Sequence, residues 1–158
     1  MKSTAQAFGN ALLDDWHWQK GDVACVFSPN DVDYGPCVYG TLYAGGIIAP
    51  ANPGYGAKDL AFMLKDAGAR VILTQKALLP VASEAASIAG LRQGDIILMG
   101  EDRVSAEGVK HFTTLSKPHR TASKSRPYKL KPDEDLAFLA YSSGTTVNHP
   151  KSVICNGD

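Results

Sequence analysis

The chain has 158 residues, 44% hydrophobic and 20% charged, enough for one domain with its own core and ordinary for a globular protein. Sixteen basic residues balance sixteen acidic ones, so no overall field draws it to nucleic acid or to an anionic membrane surface. Cys25, Cys37 and Cys155 have no metal-ligand spacing and imply neither a disulfide framework nor a metal site, and no apolar run reaches the length of a membrane span.

An intracellular, reducing location is expected, cytoplasmic rather than secreted, with no apolar leader segment at Met1. The closing residues Asn156-Gly157-Asp158 are no peroxisomal address, although that compartment stays open for a longer relative.

Ala5, Phe8, Leu12 and Trp16 recur at spacings of three and four and predict an amphipathic helix. In Trp16-His17-Trp18 one ring is expected in the core and the other at the surface. Lys20-Gly21-Asp22 breaks the helix, and Val23 to Phe27 reads as a short apolar strand, with Cys25 as a small buried hydrophobe. Ser28-Pro29-Asn30-Asp31 has turn and cap chemistry, so a helix should run from about Val32 to Ala44 and stop at Gly45-Gly46. Core and boundary positions account for Tyr34, Tyr39 and Tyr43 on that helix. Ile47 to Pro50 is the second strand, Ala57 to Ala67 the next helix, and Arg70 to Thr74 the third strand. Leu78 to Ala89 is helical again and Asp95 to Met99 is the fourth strand.

Short apolar strands alternating with helices imply an α/β fold, a mostly parallel sheet with helices on both faces joined by right-handed crossovers. Residues 1–100 form its βαβ-type core. Residues 101–135 lack the rhythm and read as an irregular excursion, of which only Val109 to Leu115 packs. Basic residues crowd Lys117 to Lys131 there among prolines, serines and a threonine, a composition that suits a solvated linker better than a nucleic-acid surface. Residues 136–158 hold a last strand, Leu136 to Tyr141, and a loop.

That loop carries the chemistry. Tyr141-Ser142-Ser143-Gly144-Thr145-Thr146, followed by Pro150-Lys151, combines hydroxyls, backbone N–H groups freed by a glycine, and an ammonium. Such a turn can wrap donors around an anion while the lysine supplies charge. A solvent-exposed Ser/Thr/Gly turn is the plainer alternative. Neither a Gly-x-x-x-x-Gly-Lys-Ser/Thr nor a Gly-x-Gly-x-x-Gly motif is present, which weakens any generic nucleotide-sheet reading. His17, His111, His119 and His149 are scattered without partner spacing, so no hydrolase or metal site is expected.

The residues resemble the N-terminal part of the adenylate-forming acyl- and aryl-CoA ligases, in wording nearest their 4-coumarate–CoA ligase-like branch. Three stretches carry the likeness: Gly21-Asp22-Val23 through Pro29-Asn30; Gly40 to Pro53 with Asp59-Leu60 to Thr74; and Ser142 to Thr146 with Pro150-Lys151. The resemblance implies that Ser142, Ser143, Gly144, Thr145, Thr146 and Lys151 belong to an ATP phosphate site. It also implies ATP, magnesium, a small carboxylic acid and coenzyme A as the reactants of an intact relative. Catalytic groups are expected downstream of this stretch, so none is assigned here.

Relative to the family's Thr-Thr-Gly-x-Pro-Lys-Gly, Val147 and Ser152 stand where glycines are usual, and one extra residue precedes Pro150-Lys151. A β-branched residue is strained wherever a glycine supplies positive φ. One inserted residue displaces Lys151 by up to about 3.5 Å along the chain. So abrupt a break after Thr146 suggests an altered reading frame or a retained non-coding segment, which the transcript sequence would decide. The expectation is a ligase fragment inactive alone, binding neither ATP nor magnesium tightly. Its sheet, cut from a larger domain, should self-associate, with the Leu136 to Tyr141 strand the main offender. The alternative is a non-catalytic α/β binding or interaction module.

Overall fold

The computed structural model describes residues 1–103, 108–116, 128–129, 131 and 133–141, and the backbone of 151–155. Chain order is α1 (Lys2–Asp15), β1 (Val23–Phe27), α2 (Tyr34–Tyr43), β2 (Ile47–Ala51), α3 (Ala57–Ala67), β3 (Ala69–Thr74), α4 (Leu79–Ala89), β4 (Ile96–Leu98), β5 (Lys110–His111), α5 (Phe112–Leu115), β6 (Leu136–Tyr141) and β7 (Lys151–Cys155). The strands form one sheet in the order β5-β4-β3-β1-β2-β6-β7. All neighbouring pairs are parallel except β6 with β7.

Parallel strands joined by crossovers must be covered on both faces, and β1 shows why its sequence is apolar throughout. Val23, Cys25 and Phe27 join a buried cluster with Leu60, Met63 and Leu64 of α3 and Leu79, Ala82 and Ala85 of α4. Ala24 and Val26 face the other way, into a cluster with Phe8 and Leu12 of α1, Cys37 and Val38 of α2, and Phe112 of α5. Helices α3 and α4 end on Gly68 (φ 65°) and Gly90 (φ 84°), left-handed stops that relieve the last carbonyls. Trp18 is buried, as expected for one ring of the pair, while Trp16 is half-buried against the same core rather than at the surface. Tyr39 departs from the expectation of a core or boundary position. It is 61% exposed, because α2 turns Cys37, Val38 and Thr41 inward instead.

The excursion after Gly100 returns to the sheet. Ile97 and Leu98 pair with Lys110 and His111, and α5 then packs Phe112 edge-to-face on Phe8, with ring centroids 6.0 Å apart. Most of the basic stretch lies outside the described residues. Nor is β6 an edge strand: β7 occupies the side expected to be open.

Helices α1 and α2 touch through glycine. A Cβ on Gly9 would meet the Gly40 carbonyl oxygen at 2.5 Å, and one on Gly40 would meet the Ala5 carbonyl oxygen at 2.7 Å. Backbone, unlike a side chain, cannot step aside. Gly40→Ala should therefore lower unfolding free energy by about 1–3 kcal/mol despite alanine's better helix propensity. Urea denaturation followed by circular dichroism checks this, an unchanged midpoint counting against close helix contact.

Candidate nucleotide site

In open α/β sheets ligands gather outside the carboxyl ends of the strands, and two places on this rim combine polar groups. The first is the end of β6. Ile48 of β2 lies opposite Phe138, and β7 runs back along the far side with Leu139 opposite Val153 and Tyr141 opposite Lys151. Phe138 packs into the α1–α2 layer, Leu139 and Tyr141 into the α3–α4 layer. Lys20 Nζ meets the Asp135 carboxylate at 2.5 Å just before the strand begins. The hydrogen bond from Lys20, aided by the Lys131 amide, holds Asp135 below the usual carboxylate range. At the other end the Tyr141 hydroxyl donates to Asp66 Oδ2 at 2.8 Å. Burial, then that bond to Asp66 and its negative charge, push the phenol above its ordinary value.

Ser142, Ser143, Gly144, Thr145 and Thr146, five of the six residues expected to grip phosphate, lie outside the described residues. Lys151 is described through its backbone. It opens β7, and the register sets its Cα opposite that of Tyr141. The sequence reading kept Lys151 in the loop; the signal it passed over is the Val153-Ile154 pair, whose branched side chains favour strand.

The second place is the topological switch point. From β1 the chain crosses through α2 to β2 on one side; from β3 it crosses through α4 to β4 on the other. Between these diverging ends opens a cleft of about 320 Å³ lined by Asp31, Gln75, Lys76, Met99, Gly100 and Asp102. Asp33, buried beside it, accepts the Gly100 N–H at 3.1 Å and pairs with Arg103 at 3.6 Å. Its own N–H donates to Asp31 Oδ1 at 2.8 Å, and Gln75 Nε2 donates to Asp31 Oδ2 at 3.0 Å.

His111 has no exposed surface. The Thr113 backbone N–H, 3.3 Å away, can only donate, so Nδ1 is the accepting nitrogen, and the Thr113 hydroxyl lies 2.8 Å from it. Nε2–H then donates to the Gly100 carbonyl at 3.1 Å. With both ring nitrogens engaged, the imidazole holds loops together and has no lone pair to spare for a substrate. Sequence reasoning missed this network because Asp33 and Gly100 are 67 residues apart and the histidine's partners are mostly backbone groups.

Burial pushes the Cys25 thiol up to about 12. Cys37 is raised well above the ordinary range by burial and then by the Asp33 and Asp31 carboxylates. Neither is a ready nucleophile. Among the described residues no three His, Cys, Asp or Glu side chains converge as a metal site, and no helix is long and apolar enough to cross a membrane.

A family model described as "AMP-binding enzyme" matches residues 1–156. The chain belongs to the AMP-binding enzyme family. It is 32% identical over 136 residues to a 4-coumarate–CoA ligase of Pinus taeda, covering 86% of this chain and 24% of that one. It is 30% identical over 156 residues to a long-chain-fatty-acid–CoA ligase of Bacillus subtilis (strain 168), covering 86% and 28%. The chain thus spans about a quarter of the length of these curated relatives.

Among solved structures, an anthranilate CoA ligase in complex with anthranoyl-AMP superposes with a TM-score of 0.81 at 21% identity, over 98% of this chain and 28% of that one. A red-emitting luciferase from Phrixothrix hirtus gives 0.80 at 19% identity, over 97% and 37%. These structural likenesses bear out the α/β architecture of the AMP-binding family, and the sequence resemblance to acid–CoA ligases holds with them.

The Tyr141–Asp66 bond anchors the strand that leads into the hydroxyl-rich loop. Tyr141→Phe removes one charge-assisted donor from a half-buried site and should cost about 1 kcal/mol. The expected result is a lower urea midpoint with an unchanged denaturant slope; equal midpoints would mean the bond holds nothing.

Proposed function

We propose that this chain is the phosphate-loop-bearing α/β part of an ATP-dependent carboxylic acid–CoA ligase, and that the 158-residue polypeptide alone forms no acyl adenylate. The observation that carries the reading is the family match over residues 1–156 by a chain about a quarter as long as its ligase relatives. In the intact reaction a substrate carboxylate oxygen bonds to the α-phosphorus of ATP and pyrophosphate leaves. The thiol sulfur of coenzyme A then bonds to the acyl carbon, and AMP departs.

Ser142, Ser143, Gly144, Thr145, Thr146 and Lys151 are the residues assigned to the ATP phosphates, as hydroxyl, amide and ammonium donors to a charged leaving group. Magnesium would neutralise phosphate charge in the intact enzyme; no ligand for it is assigned among the described residues. The relatives' names point to an aryl or long-chain fatty acid as substrate class.

Inactivity follows from the loop's own wording. Val147 and Ser152 stand where glycines would give free backbone geometry, and the additional residue before Pro150-Lys151 lengthens the chain between the threonines and the lysine by up to about 3.5 Å. Exchange of labelled pyrophosphate into ATP, with 4-coumarate, benzoate and a long-chain fatty acid in turn, should not exceed a heat-killed control. Exchange above that control overturns the reading.

A second reading, a non-catalytic interaction module, draws support from β1, β3 and β4, which are buried on both faces by this chain's own helices. Solution size separates the two. As part of a larger ligase fold, the chain leaves Phe138, Leu139 and Tyr141 half-buried, and uncovered apolar surface promotes association. Light scattering should then show oligomers; a monodisperse monomer supports the independent module.

A further inference from the structure

Among the described residues an enclosed hydrogen-bonded network away from the end of β6 centres on His111. Its position is set twice over. Through the backbone it pairs with Leu98 on β4 and closes the β5 edge of the sheet. Through the side chain it caps the short helix α5 by accepting the Thr113 N–H, while its other nitrogen donates to the Gly100 carbonyl. The Gly100 amide in turn donates to Asp33. One neutral imidazole therefore ties together the edge strand, the helix after it, and the turn that closes the switch-point cleft. Gly100 itself sits at φ 104°, a conformation natural to glycine.

The cap on α5 needs the neutral ring, whereas the Nε2–H bond to the Gly100 carbonyl survives protonation. Protonation puts a hydrogen on Nδ1, so the Thr113 N–H then faces a donor and α5 loses its cap. The Thr113 hydroxyl can turn to accept, but the amide cannot. Burial opposes the charge, while the Gly100 carbonyl bond and the carboxylates of Asp33 and Asp31 favour it and Arg103 disfavours it. The net direction is a His111 value below that of a free imidazole. The elements around the ring thus contribute Asp31 and Asp33 from the β1–α2 turn and Arg103 from the β4–β5 connection, and on its other side the ring meets Phe112 at a centroid distance of 5.1 Å.

We propose that His111 is an acid-sensitive latch whose protonation undocks β5 and α5 from the sheet and bares the edge of β4. The sign follows from linkage. The undocked imidazole takes a proton more readily than the docked one, so docking is fully stabilised above about pH 6.5 and weakens as pH falls through that value toward the lower docked one. Undocking would uncover Phe112, Leu115 and Leu98, all buried in the closed form. It would also free the outer backbone groups of β4, the arrangement that invites pairing with another strand. The latch is independent of whether the chain is a ligase part, since it uses neither the β6 loop nor any nucleotide.

Hydrogen exchange by mass spectrometry on the whole chain, corrected for intrinsic exchange rates, tests it at pH 7.5 and 5.5. Protection of peptides spanning 96–100 and 108–116 should fall by up to about tenfold at the lower pH, the ratio set by protonation of the open form, with α3 unaffected. His111→Asn keeps an accepting oxygen at the cap but cannot titrate, so its protection should not change between the two pH values. In the native chain the His111 imidazole, followed by NMR, should titrate below the value of a free imidazole, with protection already falling above that midpoint. The latch is overturned by pH-independent protection in the native chain, by an equal acid response in His111→Asn, or by an imidazole that titrates at or above the free value. The NMR comparison decides the matter if the variant fails to fold.

Discussion

The structure depends on one constraint: β1 has a strand on each edge and a helical layer on each face, so none of its five residues meets water. Its backbone groups find partners in β2 and β3, and its side chains have to be apolar in both directions. Glycines at 9 and 40 let α1 and α2 approach closely, while Phe27, Leu60 and Leu64 pack together between the sheet and the α3–α4 layer. The remaining elements take their positions from this central ladder. β3 lies beside β1 because the chain crosses back over it, and β6 reaches β2 because that edge is left vacant.

Much of this was legible because burial on both faces writes continuous apolar runs, and helices that cover them write a three-and-four spacing. Val23 to Phe27 and Arg70 to Thr74 announce themselves as strands without any partner in view. Gly68 and Gly90 mark helix ends by a backbone conformation that other residues resist. What escaped was set by distance along the chain. Two residues, Lys110 and His111, are a strand because β4 lies alongside, and Asp33 is buried where the Gly100 amide and Arg103 reach it. Tyr39 was misplaced since helical spacing tells which residues share a face and not which face turns inward. The hydroxyl-rich loop was legible as chemistry rather than as geometry, and Lys151 was drawn into it by the wording of the motif.

Two polar regions sit on the same rim of the sheet, separated by β1 and β2 in strand order. At the end of β6 the polar residues are exposed to sequence change in a hairpin connection. At the β1–β3 divergence they are locked by mutual hydrogen bonds among Asp31, Asp33, Gln75, Gly100 and His111. The first region adjoins the residues proposed to bind phosphate; the second joins its donors and acceptors to one another. A ligase reading places nucleotide chemistry at the first and leaves the second to hold the rim in shape.

The antiparallel pairing of Tyr141 with Lys151 has a consequence for the extra residue in the segment between them. Strand partners alternate sides with a period of two, so a slip of one position inverts every side chain of β7 relative to the sheet. An added residue absorbed by a slip of register exchanges sides, whereas one absorbed by a bulge need not, and the β6–β7 ladder already holds an irregularity between Leu136 and Phe138.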